Sequence, residues 1–237
     1  MNMLMRLLTG FKLGSIFLLL TLLTGVVHAQ SMGEVIRSEN MPDYPAGTRI
    51  AEDSEIKTGD GQRIAIKTQQ GDVLIANQNA TIKLVKPGFF SHLFGKIYYF
   101  ISSGKDRNVA VQTSTATLGI RGTKFIIDTD QADNSKERVS LVEGALNFDS
   151  NDDELFQLYR QRELDEFELY RKQQMTEFQE FKQQMMEEFV AYKASIQLEA
   201  GFALQFDGKK AVRAPLDPSV NSEIEEFEQF VAASRMQ

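Results

Sequence analysis

The sequence predicts a mainly β domain, followed by a long amphipathic α-helix, a short hairpin and a C-terminal helix. Three observations lead to this fold class. Residues 33–148 contain short stretches in which apolar and polar side chains alternate, separated by turns such as Gly59-Asp60-Gly61. Residues 152–198 contain neither proline nor glycine and repeat every eleven residues. Beyond Gly201, an Asp-Gly pair lies between two further alternating runs.

The N-terminal segment has the order of a secretory signal peptide. Arg6 and Lys12 precede an apolar run over residues 13–27, and Val27-His28-Ala29 offers the small residues that a signal peptidase requires. The alternative is an uncleaved anchor, but the apolar run is shorter than the ~20 residues that span a bilayer. We therefore expect cleavage near Ala29 and a periplasmic or secreted mature protein.

Composition and charge suit a soluble envelope protein. The chain has 237 residues, of which 42% are hydrophobic, and this is enough to bury a core. Loss of residues 1–29 removes two cations and no acid, so the formal net charge moves from −7 to −9. Because a nucleic-acid surface needs clustered cations, we expect no nucleic-acid partner. The chain has no cysteine, so its stability depends on packing rather than on disulfides.

The β domain is predicted from six alternating stretches spaced by roughly ten residues, with no helical pattern between them. These stretches are Arg63–Lys67, Asp72–Ala76, Thr81–Val85, Asn108–Gln112, Phe125–Asp128 and Val139–Val142. Residues 86–101 are rich in aromatic side chains. We expect them to form a strand that packs on the sheet rather than an exposed binding patch.

The eleven-residue repeat predicts one amphipathic helix over residues 151–200. Eleven residues make three turns of about 3.67 residues, so equivalent positions of each repeat lie along one helix face. Position one of each repeat is phenylalanine and position four is tyrosine or phenylalanine. Together they form an interaction stripe of Phe156, Tyr159, Phe167, Tyr170, Phe178, Phe181, Phe189 and Tyr192.

The aromatic side chains of this stripe have to be shielded from water, and three surfaces can do so. The helix lies along the β domain, or it pairs with a second copy as a coiled coil and makes a homo-oligomer. The third is a membrane surface, which amphipathic helices with eleven-residue repeats can bind. The many glutamates on the polar face disfavour this third surface, because anionic lipids would repel them.

The tail beyond residue 200 predicts a hairpin and a final helix. Asp207-Gly208 between two alternating runs is a strong hairpin signal. Asn221 or Ser222 can cap a helix that places Ile224, Phe227 and Val231 on one face. We expect this tail to dock on one of the larger parts of the protein.

Candidates for catalysis and for metal binding are few. The mature chain has one histidine, His92, and no motif surrounds it, so we expect a packed or surface histidine. Zinc sites use cysteine or several histidines, and neither is present. Carboxylates near turns read as solvated turn residues: Asp60, Asp72, Asp130 and Asp133. We expect no enzyme activity, cofactor or metal; a hydrolase with two carboxylates in a cleft is the least favoured alternative.

Residues 109–127 carry a resemblance to a known family. They read Val-Ala-Val-Gln-Thr-Ser-Thr-Ala-Thr-Leu-Gly-Ile-Arg-Gly-Thr-Lys-Phe-Ile-Ile, which resembles the signature of FecR domains. The matching positions are Gly119, Arg121, Gly122, Thr123 and Phe125. Flanking segments extend the resemblance to about residues 33–148. Glycines on both sides of Ile120-Arg121 would allow a sharp reversal, in which Arg121 binds carbonyls or a carboxylate.

The resemblance implies a β-solenoid-like stack and a role in relaying ferric-siderophore signals from an outer-membrane receptor to a sigma factor. A full regulator of that kind also has a cytoplasmic anti-sigma domain, whereas about a dozen residues precede the apolar run here. We therefore expect a non-catalytic module that binds a protein partner or acts as a scaffold in the cell envelope, with FecR-type signalling as the alternative. The expected division is a signal peptide (1–29), a FecR-like all-β domain (30–150), the long helix (151–200), and the hairpin with the C-terminal helix (201–237).

Overall fold

The computed structural model describes residues 31–104, 108–160 and 191–233. The elements in these ranges are fifteen strands and one helix. The strands of the first half are β1 Ser31–Glu39, β2 Arg49–Ala51, β3 Ser54–Lys57, β4 Arg63–Thr68, β5 Val73–Ala76, β6 Thr81–Lys86, β7 Phe89–Ile101 and β8 Val109–Gln112. The remaining elements are β9 Ala116–Thr129, β10 Lys136–Ser150, β11 Phe156–Arg160, β12 Ala191–Lys193, β13 Ser195–Glu199, β14 Phe202–Asp207, β15 Lys210–Pro215 and helix α1 Ser219–Ala232. The expected signal peptide lies outside the described residues.

All fifteen strands join one sheet. Its main path runs β12-β11-β15-β14-β10-β9-β8-β7-β5-β4-β1-β2, with β13 added to β10 and β6 joining β3 to β7. Among the described strands, β7–β8 and β11–β15 pair in parallel, and the other ladders are antiparallel. A parallel solenoid stacks equivalent strands of successive coils. The expected β-solenoid-like stack is therefore wrong, because the chain mostly folds back on itself, whereas the mainly β character is confirmed.

One face of the sheet encloses the main core. Successive strands place every second side chain on this face, as the period of two requires. One cross-strand row aligns Leu74, Tyr99, Phe125 and Leu141, and the Tyr99 and Phe125 rings stack with centroids 4.9 Å apart. The aromatic segment predicted to be a strand is β7, and its Phe90, Tyr98 and Tyr99 are buried.

Helix α1 covers part of the opposite face of the sheet. It packs Val220, Ile224, Phe227 and Phe230 against side chains of β4, β5, β7 and β9. The predicted C-terminal helix and its docking are thus confirmed. The helix begins at Ser219, ahead of the two predicted caps, because Val220 belongs to the same apolar face as Ile224.

The predicted long helix over 151–200 is wrong where the structure describes this range. Residues 156–160 form β11, which pairs with β15 and β12, and residues 191–199 contribute β12 and β13. Phe156 and Leu158 alternate with polar residues, so this stretch also fits a strand, and pairing with the β14–β15 hairpin decides between the two periods. The stripe members Phe167, Tyr170, Phe178, Phe181 and Phe189 lie outside the described residues.

The predicted hairpin is confirmed. Strands β14 and β15 pair antiparallel from Phe202 to Pro215, and Gly208 takes a φ of 58° in the turn. Within the described ranges, no helix has the length and apolar character that a membrane crossing needs.

Candidate protein-contact site

The glycine motif lies within strand β9 rather than at a turn. Strand β9 pairs with β10 on both sides of the motif, so the predicted reversal is wrong. Gly122 has a φ of 61° and Gly144, on β10, has a φ of 92°. The register between the two strands shifts on both sides of Glu143. The two glycines therefore form a bulge that bends both strands.

Close backbone contact explains why the bulge contains glycine. A Cβ on Gly144 would lie 2.5 Å from the carbonyl oxygen of Gly122. A Cβ on Gly122 would lie 3.1 Å from the Cβ of Ser103. Both glycines also have the left-handed φ that other residues adopt at a cost. Their role is to let the two strands bend at this position.

Two motif residues beyond the bulge belong to the core. Thr123 is buried, and its hydroxyl has no hydrogen-bond partner among the described residues. Phe125 is fully buried against Tyr99. These residues support the structure below the surface and are not available to a partner.

The other two motif residues face outward. Gly119 and Arg121 are both exposed on the outer face of β9. The Arg121 side chain makes no hydrogen bond or ion pair with the described residues, so the carbonyls or carboxylate expected for it are not found in this part of the chain. Its guanidinium is therefore presented to solvent in the described structure.

Gly119 and Arg121 line an open groove of about 880 Å³ on the outer face of the sheet. Residues Ala110, Gly119, Asn147 and Gln197 form one row across strands β8, β9, β10 and β13. The full lining is Asn108, Val109, Ala110, Thr117, Gly119, Ile120, Arg121, Ala145, Leu146, Asn147, Asp149 and Gln197. Ala110 and Gly119 make part of the floor shallow, and the described lining contains one cation, Arg121, and one acid, Asp149.

A buried carboxyl group lies under the turn between β8 and β9. Glu137 is 2% exposed, and its Oε1 accepts hydrogen bonds from the hydroxyls of Thr113 and Thr115. The hydroxyl of Thr113 also accepts from the backbone N–H groups of Thr115 and Ala116. Glu137 thus holds the turn in which the strand β8 reverses into β9.

Burial raises the pKa of Glu137 from its ordinary value to about 7, although the two threonine hydroxyls oppose the shift. Its second oxygen, Oε2, has no partner among the described residues, and neither does the hydroxyl of the cross-strand neighbour Thr129. A carboxyl group with a raised pKa is a candidate functional group in general. Here it is enclosed in the core, which favours a structural role.

The one histidine of the described part is also enclosed. His92 is 1% exposed; its Nε2–H donates to the carbonyl of Gly95, and its Nδ1 accepts from the Tyr99 hydroxyl, which fixes a neutral tautomer. Burial lowers the pKa of His92 to about 3. Of the two expected placements, packed or at the surface, the structure shows the packed one.

The three described members of the aromatic stripe do not lie on one face of the sheet. Phe156 is fully buried against Phe206, Tyr159 is half-buried, and Tyr192 is 64% exposed on β12. Alternation along β11 puts Phe156 on the core face of the sheet, and the pairing of Tyr192 with Gln157 puts Tyr192 on the opposite face, together with Tyr159. No common contact surface is formed by these three residues.

Two features of the structure were missed by the sequence analysis. Asp72, expected in solvent, is buried and accepts hydrogen bonds from Ser102 and Thr68. Glu137 occupies the buried face together with Val139 and Leu141, two and four residues on. That period-two position was the signal that could have identified Glu137 as buried.

Among the described residues, no group of three or more histidine, cysteine or acidic side chains could hold a metal ion.

Comparison with known proteins gives a family match. Residues 54–147 match the family model described as FecR protein, which confirms the resemblance drawn from residues 119–125. No curated protein matches the chain in sequence.

Two solved structures of a "putative anti-sigma factor" from Parabacteroides distasonis ATCC 8503 are similar to the chain at 12% identity. The 1.65 Å structure has a TM-score of 0.48 and covers 72% of this chain and 64% of that one. The 2.50 Å structure has a TM-score of 0.46 and covers 69% and 60%. The chain therefore matches less than two thirds of the length of these structures.

Proposed function

We propose that this protein, whose residues 54–147 match the FecR family model, is a non-catalytic component of FecR-type cell-surface signalling that binds another protein in the cell envelope. The proposal rests on this family match. The family that the chain resembles relays signals by contact between proteins. The buried positions of His92 and Glu137 support a non-catalytic role, because neither can reach a substrate at the surface.

The groove around Gly119 and Arg121 is the contact surface that we assign to this function. It contains the exposed members of the family motif, and the small residues Ala110 and Gly119 in its floor let a partner's backbone approach the sheet. Arg121 offers planar donors that fit a carboxylate, and arginine is enriched among the residues that dominate binding energies. We expect the partner to place an acidic side chain against Arg121.

The test combines gene deletion with complementation. Deletion should change the transcript levels of a gene set controlled by one alternative sigma factor, measured by genome-wide RNA sequencing. The wild-type gene should restore these levels, and Arg121→Ala should not. Arg49→Ala is the matched control because Arg49 is exposed on β2, outside the groove lining.

The outcomes separate the two parts of the proposal. Unchanged transcripts after deletion would show that the protein does not signal. If the deletion has an effect but Arg121→Ala complements it fully at equal protein level, signalling stands and the groove is not the contact surface. A photo-crosslinking amino acid at Gln197, on the floor of the groove, identifies the partner directly.

A further inference from the structure

A second surface of the FecR domain is occupied by the protein's own helix α1. One row of side chains crosses the outer face of the sheet under this helix: Ala65, Ile75, Tyr98 and Ile126, from β4, β5, β7 and β9. The Tyr98 ring stacks on Phe227 of α1, with centroids 5.6 Å apart and planes 6° apart. The sheet thus presents an apolar seat, which we call the α1 seat.

Cations from three strands surround the α1 seat, and the helix brings acids to them. Three ion pairs join sheet and helix in the part of the chain that the structure describes. They are Arg63 Nη2 to Glu226 Oε1 at 2.8 Å, Lys96 Nζ to Glu223 Oε2 at 3.0 Å, and Lys124 Nζ to Glu228 Oε1 at 3.1 Å. Exposed ion pairs of this kind add little affinity singly. Complementary charges instead favour one partner and one orientation over others. With its apolar floor and basic rim, the seat is complementary to an acidic amphipathic helix.

The seat and the helix come from different parts of the chain. The four floor residues and these three cations lie within the matched residues 54–147, whereas α1 begins at Ser219. Strand β1, outside the matched residues, also contacts α1, because the Arg37 guanidinium donates a hydrogen bond to the carbonyl of Phe230. Residues 216–218 connect α1 to β15, and α1 is the last described element. At its N-terminus, the carboxylate of Asp217 accepts a hydrogen bond from the backbone N–H of Ser219. A helix of this length is marginal in water when it is not docked, so undocking and unfolding of α1 form one local event.

We propose that the α1 seat is a docking site for an acidic amphipathic helix of a partner protein, and that α1 occupies it as a tethered competitor. The partner helix presents apolar side chains at the spacing of Val220, Ile224 and Phe227, and acids beside them. Binding of this type follows the helix-in-groove mode. The proposal goes beyond the signalling function, because the α1 seat and the groove at Arg121 share no residue on the outer face of the sheet, and the proposal stands without that function.

The test uses the full-length protein and a fluorescent peptide of residues 216–233 as the acidic helix. In wild type, the tethered α1 competes at a high effective concentration. Ile224→Asp with Phe227→Asp in the protein's own helix should release the seat. We expect the peptide to bind this released variant at least about tenfold more tightly than wild type, by fluorescence anisotropy.

Charge reversal tests the rim. Adding Lys96→Glu and Lys124→Glu to the released variant should abolish binding of the peptide, and a peptide with Glu223→Lys and Glu228→Lys should recover it. Lys57→Glu with Lys210→Glu is the matched control, because both lysines lie on β3 and β15, away from the seat. Binding that ignores the charge reversal would overturn the proposal.

Two further results would also overturn it. One is a released variant that keeps cooperative unfolding but does not bind the peptide. The other is a wild-type dimer by light scattering whose association is lost in the released variant, since a second copy would then occupy the seat.

Hydrogen exchange of the wild-type protein provides the test if the released variant does not fold. We expect α1 amides to exchange faster than those of β9, and equal protection would show that α1 does not open.

Discussion

At the residue scale, two buried titratable groups shift in opposite directions. The pKa of Glu137 rises from 4.5 to about 7, so its contribution to stability is complete below pH 4.5 and is lost as the pH rises through 7. The pKa of His92 falls from 6.5 to about 3, so its contribution is complete above pH 6.5 and is lost as the pH falls through 3. Between pH 4.5 and 6.5 the folded state binds one proton more at Glu137 and one fewer at His92.

The effects of the two pKa shifts on the pH dependence of stability should therefore cancel in wild type. In Glu137→Gln, the pH dependence that His92 contributes should remain alone. In this variant the free energy of unfolding should fall between pH 6.5 and 4.5 by up to about 2.5 kcal/mol relative to wild type, because two pH units at one proton correspond to that amount. Glutamine keeps an acceptor for Thr113 and Thr115. The measurement is urea denaturation at several pH values in this range.

Two variants serve as controls for this prediction. His92→Gln should show the opposite slope, with stability that rises on acidification. Glu199→Gln, on an exposed side chain of β13, should follow wild type. If the stability of Glu137→Gln also follows that of wild type at every pH, the pKa of Glu137 is not raised into this range. Another interaction would then offset the cost of burying its carboxylate.

At the element scale, the local signals identified the strands β4 to β6, the β14–β15 hairpin and helix α1. They failed where two interpretations of one pattern competed. Gly122 and Gly144 resemble turn residues in the sequence, but they form a bulge inside two long strands, because pairing between β9 and β10 continues past them. Gly119 and Arg121 were found through the family motif, whereas the floor residues from β8, β10 and β13 meet them through long-range pairing, which no local pattern contains.

The eleven-residue repeat shows the same competition more sharply. A helical stripe would make Phe156 and Tyr192 equivalent, but the sheet buries the first and exposes the second. Phe156→Ala should therefore lower the free energy of unfolding by about 3–5 kcal/mol. Tyr192→Ala should change it by less than about 0.5 kcal/mol. Guanidinium denaturation of both variants gives the comparison, and equal losses would favour the helical stripe.

At the scale of the whole molecule, the core joins the matched FecR segment to the rest of the chain. Strand β10 pairs with β13 and β14, and these two strands lie beyond the expected domain boundary at residue 150. Side chains from both sides of that boundary belong to the same cluster: Phe125, Phe148, Phe156, Leu198, Leu204 and Phe206. The division at residue 150 stays a prediction, and the shared core argues that the FecR segment depends on the strands beyond residue 150.

A chain that ends at residue 150 tests this dependence. Truncation should expose Phe148 and Leu141 and leave one edge of β10 unpaired, and unpaired apolar edges promote association with other chains. We expect the shortened chain to aggregate in size-exclusion chromatography with light scattering, under conditions in which the full-length protein stays soluble. A soluble monomer that unfolds cooperatively would show instead that the FecR segment folds independently. In that case the strands beyond residue 150, together with α1, would be an addition to the domain rather than part of its core.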